Sequence, residues 1–596
     1  MAYSQNFPAQ RPSFMFDAAN SGRIPPNMTF TRASTGTFFG TDKVLSSENL
    51  VAYSNDISTK TLEGVTATGS QTAPDGGTDA YKLTENSATG FHRFYEIITQ
   101  PGTAITFSAY FKYIGRQWIR IRLTDGGGSD RFVWFDIQNG VAGTAETGYS
   151  NVSITSSGNG YHKVSATLGT SGVGGTKYLV VEATSGDGVS GSSIAGLNAD
   201  AFAVWGIQVS STGETVLNET SGSIHREYQT KLQTAASGAA RFEHSATDGQ
   251  SMGCLLESSS TNLFTYSSDA SNADWTKTGT TATAEAIGPD GQLSAFAVRE
   301  TTAGGVHILR QAVTIGSGSV AFSIYAKLLG NTRRMVLRED STTGAYATFD
   351  LSTGTVAASG AGGSGSLEAV GNGFYRCTMV SSPGAGTKNF SAWVVQSTAT
   401  TYETYTGDGY SGLLLAMPQI EDQSFASSWI STTSSTATRA SDSLSVATAD
   451  IGYTGGDVTV VGEASFLSST YSSSPQLFDL NDNTSSNKFA IYRSSGANGL
   501  FSSLTASGTF YGTTTALGTA VADTDYKFAA ALSSSRQASC VNGGSVGEDT
   551  SVVLPTINTL DIGNDFNGGA ELDGHIKRIA LYNEALSDTN LQALTS

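Results

Sequence analysis

Apolar and polar residues alternate with a period of two along much of this chain. Phe107, Ala109, Phe111 and Tyr113 alternate with Ser108, Tyr110 and Lys112, as Ile119, Ile121 and Leu123 do with Arg120 and Arg122. Such runs predict half-buried antiparallel strands. Further runs, FVWFDI, HKVSATL, KYLVVEA and FAVWGIQV, are separated by Gly, Asp and Ser clusters that read as turns. The amphipathic stretches of about 10–15 residues that a parallel α/β sheet needs between its strands are missing. One helix is predicted, at the end of the chain, where Ser587 is the N-cap, Asp588 sits in the first turn, and Leu591 and Leu594 follow three apart.

The strand pattern occurs twice. Asn49-Leu50-Val51-Ala52-Tyr53-Ser54 returns as Asn262-Leu263-Phe264-Thr265-Tyr266-Ser267, at an offset of 213. Thr106–Lys112 returns as Ala321–Lys327 at 215, Phe135-Asp136-Ile137 as Phe349-Asp350-Leu351 at 214, and Asn159-Gly160-Tyr161 as Asn372-Gly373-Phe374. Pro74-Asp75-Gly76 and Gly186-Asp187-Gly188 likewise have counterparts in Pro289-Asp290-Gly291 and Gly407-Asp408-Gly409. Copy one carries an extra loop around Ser192 to Asp200. Roughly eight strands per copy close most naturally as a two-sheet jelly roll. The predicted organisation is all-β and multidomain: an N-terminal segment 1–46, a first jelly roll 47–212, a connector 213–257, a second jelly roll 258–442, and a third sandwich 443–596.

Composition narrows the function. The 33 Lys and Arg stand against 51 Asp and Glu, a net charge of −18 with no basic arm or stripe, which argues against nucleic-acid binding. The N-terminus shows no secretory pattern, and no apolar run is long enough for a membrane-spanning helix, so cytoplasmic synthesis without membrane insertion is expected. Cys254, Cys377 and Cys540 are scattered in apolar contexts and read as buried structural thiols.

Three strings carry a resemblance. Phe30-Thr31-Arg32-Ala33-Ser34-Thr35-Gly36-Thr37, the connector HREYQTKLQTAASGAARFEHSATDGQSMGCLLESSSTNLFTYSSD, and FASSWISTTSSTATRASD (425–442) resemble tailed-bacteriophage virion proteins of the tail-fibre and tailspike kind. There, such strings flank carbohydrate-binding-module-like jelly rolls. Residues 443–596, ending in Gly574–Ser587, are similar to concanavalin A-like, laminin-G-type domains. The resemblance implies a virion protein, assembled in the host cytoplasm. It would engage host cell-surface polysaccharide beside other virion proteins, as a homotrimer held through residues 1–46 and the connector. The alternatives are a polysaccharide-degrading tailspike and a capsid-decorating or head-fibre protein. One departure stands out: the first jelly roll separates the FTRAST string from the connector, as if inserted.

Catalytic chemistry has no signature here: there is no G-x-S-x-G elbow, H-E-x-x-H, phosphate loop or histidine cluster, and the acids show no pairing signal. Asp136 and Asp350 recur at the ends of matching strands and read as turn carboxylates; His92 and His307 recur at offset 215 and read as packed histidines. Sugar recognition calls for aromatic faces and planar donors. The alternation places Arg120 and Arg122 on the non-core face near Trp118 and Trp134, and copy two offers Arg333, Arg334 and Arg338. A core position for Trp134 is the competing reading, and Trp205, Trp275, Trp393 and Trp429 read as core or junction residues. No cofactor is expected beyond a structural Ca²⁺. The Asp-Gly pairs are explained as turns, but residues 443–596 hold six Lys and Arg against fifteen Asp and Glu. In that acidic segment Asp561, Asp565 and Asp573 offer the hard oxygen ligands such an ion takes; Asp75, Asp187 and Asp408 are chemically suitable too.

Overall fold

The computed structural model describes residues 11–100, 104–124, 130–169, 175–330, 333–341, 344–469, 471, 473–495, 498–513 and 519–596. Almost every regular element is a strand, and the strands build three β-sandwiches. The two repeats have the same topology. In the first, one sheet orders its strands Val141–Ala145, Asp130–Asp136, Trp118–Thr124, Gly175–Thr184, Arg93–Gln100 and Thr61–Glu63. The opposing sheet runs Tyr149–Ser156, His162–Leu168, Ile105–Tyr113, Asp200–Ser210, Ala80–Glu85 and Val65–Gln71. The predicted core residues Phe107, Ala109, Phe111, Ile119, Ile121 and Leu123 meet between the sheets. In the second repeat the corresponding core holds Phe322, Ile324, Met335, Leu337 and Phe349.

The repeated Asn-Leu-x-x-Tyr-Ser string marks the doorway of each jelly roll. Asn49 Nδ2 donates to the carbonyls of Ile207 and Asn218, at 3.0 Å each, while its Oδ1 accepts from Val51 N–H. Asn262 bridges Pro418, Ile430 and Phe264 in the same way. Ser54 Oγ then accepts from Thr220 N–H, and Ser267 Oγ from Thr432 N–H. Each pair ties the entering chain to the leaving one, so each jelly roll closes on itself as an insert.

Strand pairing redraws the boundaries of the third sandwich. One of its sheets orders Arg241–His244, Ser251–Leu256, Gly574–Tyr582, Val458–Phe466, Tyr526–Leu532, Gln537–Val541 and Gly547–Asp549. The other begins with Met28–Thr31 on Ser443–Ala447 and continues through Thr559–Ile562 and Gln476–Asn481. Phe14–Asp17 and Ser251–Leu256 lie end to end along the strand Gly574–Tyr582, the first opposite 578–581 and the second opposite 574–576. The expected separate segment 1–46, whose residues 1–10 lie outside the described residues, and the separate connector are therefore corrected. Phe14, Phe16, Met28, Cys254 and Leu256 belong to the core of the third sandwich because its sheets are incomplete without those strands. Both jelly rolls are inserted into one discontinuous domain. The described strands of residues 11–49 pair within their own chain, Gly36–Asn49 forming a two-stranded ribbon with His225–Ala235.

Where the inserts leave this domain, five charged side chains are buried together. Arg241 donates to Glu257 and Asp442; Arg32 Nη1 donates to the other Asp442 oxygen at 3.0 Å; Arg439 Nε lies 3.5 Å from Glu257. All five are at most 3% exposed. Remaining valences go to the backbone, with Arg32 Nη2 on the Ala236 carbonyl and Arg439 Nη2 on that of Ser258. The residues come from FTRAS, RFEH, LLES and TRASD, which are largely the strings that carry the sequence resemblance.

The terminal helix spans Asp588–Thr595, with Ser587 Oγ accepting from Asn590 N–H, as the capping pattern predicts. The three cysteines are free and buried.

Two outcomes follow from the discontinuous domain. Residues 443–596 expressed alone should be insoluble or lack a cooperative melt, whereas residues 47–221, which close on themselves, should fold as a monomer. Circular dichroism and sedimentation would read both. Arg241→Met leaves Glu257 and Asp442 short of a partner and should cost about 3–5 kcal/mol in denaturant unfolding.

Candidate functional site

The outer face of the first jelly roll's arginine-bearing sheet gathers the residues singled out for binding. Period-two alternation sends Ile119 and Ile121 into the core and leaves Trp118, Arg120 and Arg122 outside. In register, Arg120 lies between Trp134 and Glu182, and Arg122 between Phe132 and Val180. Trp134 is therefore on this outer face, not in the core. It is nevertheless buried, because the segment 185–193 crosses the face as a strap: Trp134 Nε1 donates to the Val189 carbonyl at 3.0 Å.

Arg120 is not a solvent-facing donor. It is 6% exposed, ion-paired with Glu182, stacked 4.0 Å from the Phe132 ring centroid, and within 3.4 Å of Ser190 Oγ on the strap. Trp118 is half-buried against the neighbouring hairpin, where a Cβ on Gly143 would fall 2.7 Å from its ring. Asp187, in the strap, accepts from Thr144 N–H and Oγ1 and so fastens it to that hairpin. Arg122, paired with Asp130 at 2.6 Å, also keeps partial access to solvent.

Beyond the strap the face is open. Tyr95 and Tyr178 stand with ring centroids 6.4 Å apart, Tyr178 at 40% and the adjacent Ile97 at 56% exposure. Arg93 lies over Phe91 and Tyr95, 3.8 and 5.7 Å from their centroids, and pairs with Glu63. These residues were not singled out from sequence, although the alternation in RFYEIIT and KYLVVEA places Tyr95 and Tyr178 on the outer face.

In the second jelly roll the strap-covered part of this face is apolar. Because Met335 pairs with Phe349 as Ile119 pairs with Phe135, the trio Arg120, Trp134 and Glu182 corresponds to Val336, Thr348 and Trp393. An ion pair is replaced by an apolar pack of Ile308, Val336, Trp393 and Val395, closed by Ala399 and Tyr402 from the matching strap. Arg338 is held 3.7 Å above Tyr402, Arg334 binds Asp350 and the Ala399 carbonyl, and Arg333 grips Glu300 with two nitrogens and reaches Asp408. All three arginines are thus engaged within the fold. Trp393 lies on this outer face, whereas Trp275 is core and Trp205 and Trp429 are junction residues.

The aspartates considered for Ca²⁺ do not form one group. Asp573 binds Ser258 N–H and Oγ at the junction with the second insert, and burial pushes its carboxyl up to about 7. Asp565 closes a turn by accepting from the backbone N–H groups of Asn567 and Gly569. Asp561 faces Asp479 across the sheet and accepts from Asn481. Among the described residues, no three His, Cys, Asp or Glu side chains converge as metal ligands. Asp479, missed from sequence, is fully buried with neither carboxylate oxygen hydrogen-bonded. Burial lifts it to about 7; Lys488 opposes this, and Asp561 and Asp565 add to it. Asp136 and Asp350 accept backbone N–H groups of the following turns, as the turn reading predicts.

Residues 442–592 match a family model described as the concanavalin A-like lectin/glucanases superfamily. A search of curated proteins found no match. Among solved structures, the Ruminococcus gnavus IT-sialidase CBM40 bound to alpha2,3 sialyllactose is similar at 16% identity, over 24% of this chain and 84% of that one, with a TM-score of 0.21. The CBM22-1–CBM22-2 tandem of Paenibacillus barcinonensis Xyn10C is similar at 12% identity, over 63% and 98%, with a TM-score of 0.19. The LG1-3 region of the laminin alpha2 chain is similar at 11% identity, over 84% and 97%, with a TM-score of 0.18. At such scores none of these likenesses bears on what this chain binds.

The buried Asp479 makes stability depend on pH. An unfolded aspartate titrates near 3.9, whereas the native one holds its proton to about 7. The native state therefore binds more protons across this window, and stability falls as pH rises from about 4 to 7. Asp479→Asn should flatten that slope and raise stability at pH 8 by about 1–3 kcal/mol, read from urea midpoints across the pH series.

Proposed function

We propose that the first jelly roll is the working carbohydrate-binding module of a non-catalytic, host-adsorbing virion protein. The observation that carries this reading is the contrast between homologous faces. In the first copy Tyr95, Tyr178, Ile97, Arg93 and Arg122 form an accessible aromatic and guanidinium surface. In the second copy the equivalent positions, Arg310, Asn389, Ala312, Ile308 and Arg338, carry no aromatic ring, and Arg338 lies under Tyr402. Aromatic rings supply flat apolar surface against sugar C–H faces, while arginines donate in a plane to hydroxyl or carboxylate groups at their edge. A folded jelly roll presents these side chains on rigid strands, so little ordering is required on binding.

The third sandwich then serves as the frame from which the modules project. The setting in a phage tail fibre, with host polysaccharide, other virion proteins and further copies of the chain as partners, is supported by the resemblance of the FTRAST, connector and TRASD strings. Those strings surround the buried charge cluster.

Tyr95→Ala combined with Tyr178→Ala should weaken binding to host polysaccharide at least about tenfold, with unfolding free energy changed by about 1 kcal/mol or less, as for surface positions. Trp393→Ala should do the reverse, costing about 3–5 kcal/mol of stability in the second jelly roll with binding unchanged. Titration calorimetry and thermal melts would separate the two. Incubated with the full chain, the polysaccharide should keep its length distribution on gel filtration; shortening would replace the binder with an enzyme.

A further inference from the structure

A cleft of about 640 Å³ lies between the second jelly roll and the third sandwich, away from the aromatic face of the first. Strand alternation sends Phe322, Ile324 and Ala326 into the second core and leaves Tyr325 outside. In register, Tyr325 of Val320–Leu329 lies opposite Arg376 of Phe374–Ser381, which lies opposite Glu368 of Ser364–Gly371. This cross-strand row is one wall of the cleft. The third sandwich supplies the other, with Glu243, Asp523 and His575, and Phe39, Met252 and Trp429 add apolar surface.

The first copy closes its matching row. There Tyr110, Lys163 and Thr155 hold the same register, but Lys163 is ion-paired with Glu285, and Tyr110 packs 5.8 Å from Tyr410 of the second jelly roll. In the second copy the row stays open. Glu243 is already engaged, one oxygen 2.7 Å from His575 Nε2 and the other accepting from Phe39 N–H at 3.2 Å. Arg376 Nη2 donates to the Ser427 carbonyl and to Ser323 Oγ.

The remaining polar groups of the cleft lack partners. Glu368 and Asp523 stand at its mouth with access to solvent, and among the described residues their carboxylates make neither an ion pair nor a hydrogen bond. Desolvation raises the Glu368 carboxyl; Arg376 opposes this, and Glu243 and Asp523 add to it, so the acids repel one another across the cleft. Tyr325 is 2% exposed, and its hydroxyl has no hydrogen-bond partner among the described residues. Burial pushes that hydroxyl up to about 12, and the charges acting on it, Arg376, Glu368, Glu243 and Glu257, all border the cleft. Trp429 likewise leaves Nε1 unpartnered.

An occupant must therefore bring a positive charge for two carboxylates, a hydroxyl for Tyr325 and a compact carbon frame for the apolar surface. A bare metal ion does not meet this description, since among the described residues no three His, Cys, Asp or Glu side chains converge as ligands. Clefts of this size enclose small molecules. We propose that the cleft binds an organic ammonium on a hydroxylated frame, the chemistry of an amino sugar, with the ammonium between Glu368 and Asp523 and a hydroxyl on Tyr325. A cation relieves the repulsion across the cleft, which a neutral sugar leaves in place. The site does not depend on the glycan reading of the first jelly roll.

Titration calorimetry of the full chain with glucosamine, N-acetylglucosamine and glucose tests this, at about pH 6.5, below the usual amine range. Glucosamine should bind at least about tenfold more tightly than either neutral sugar, and Glu368→Gln combined with Asp523→Asn should erase that preference. Asparagine tolerates the φ of 52° at position 523. Equal affinities for the three sugars, no glucosamine binding, or a preference that survives the double substitution would overturn the proposal. Should the double variant fail to fold, Glu368→Gln alone, at an exposed strand position, should cut the preference at least about threefold, and an unchanged preference overturns it. Glucosamine binding without retention of any polysaccharide would leave this site standing and remove the reading of the first jelly roll.

Discussion

The arrangement of the whole chain depends on one buried ionic cluster. Arg32, Arg241, Arg439, Glu257 and Asp442 are brought together from segments separated by both inserts, and every one is removed from water. Burying five charges is costly, and a pair assembled this way is weak evidence for stability by itself. Geometry compensates here: Asp442 accepts a different arginine on each oxygen, and Glu257 also receives Ser428 N–H at 2.7 Å. Burial alone would raise the Glu257 carboxyl, yet Arg439 and Arg241 hold it far below the usual carboxylate range. Removing either carboxylate strands buried arginines, so the cluster ties the points where each insert leaves and rejoins the frame.

A second, weaker ionic contact joins the inserts to each other. Lys163 of the first jelly roll reaches Glu285, which Arg299 of the second also binds. Burial by itself would raise Glu285, but Arg299 and Lys163 together keep it low. Trp205, Tyr110 and Tyr410 pack beside this trio with centroid separations of 5.3–5.8 Å. The outer face of the opposing sheet is taken up by this contact, which leaves the arginine-bearing sheet of the first jelly roll facing outward.

Duplication has thus produced two copies with one topology and different surfaces. The interior pattern is shared because both copies bury the same kind of core between the same strands. Divergence is concentrated outside, where Arg120 and Glu182 in one copy become Val336 and Trp393 in the other. Exchanging an ion pair for an apolar pair removes the need for a polar strap and lets Tyr402 close the surface.

Much of the fold was legible in the sequence, since period-two alternation with Gly and Asp turns admits only half-buried antiparallel strands, and internal repetition implies one topology used twice. The same local signals located the terminal helix cap, the buried thiols and the turn aspartates. Domain membership was not legible. Phe14–Asp17, Met28–Thr31 and Ser251–Leu256 are short strands whose partners lie hundreds of residues away, and strand pairing over such distances leaves no local trace. Side-chain roles failed for a related reason. Alternation correctly put Arg120 and Arg122 on the outer face, but which part of that face meets solvent depends on where the strap 185–193 lies. That path was decided by tertiary contacts, from Val189 to Trp134 and from Asp187 to Thr144, between residues about 40–55 positions apart. The sequence by itself determined which way each strand's side chains point; only the assembled structure decided what covers them.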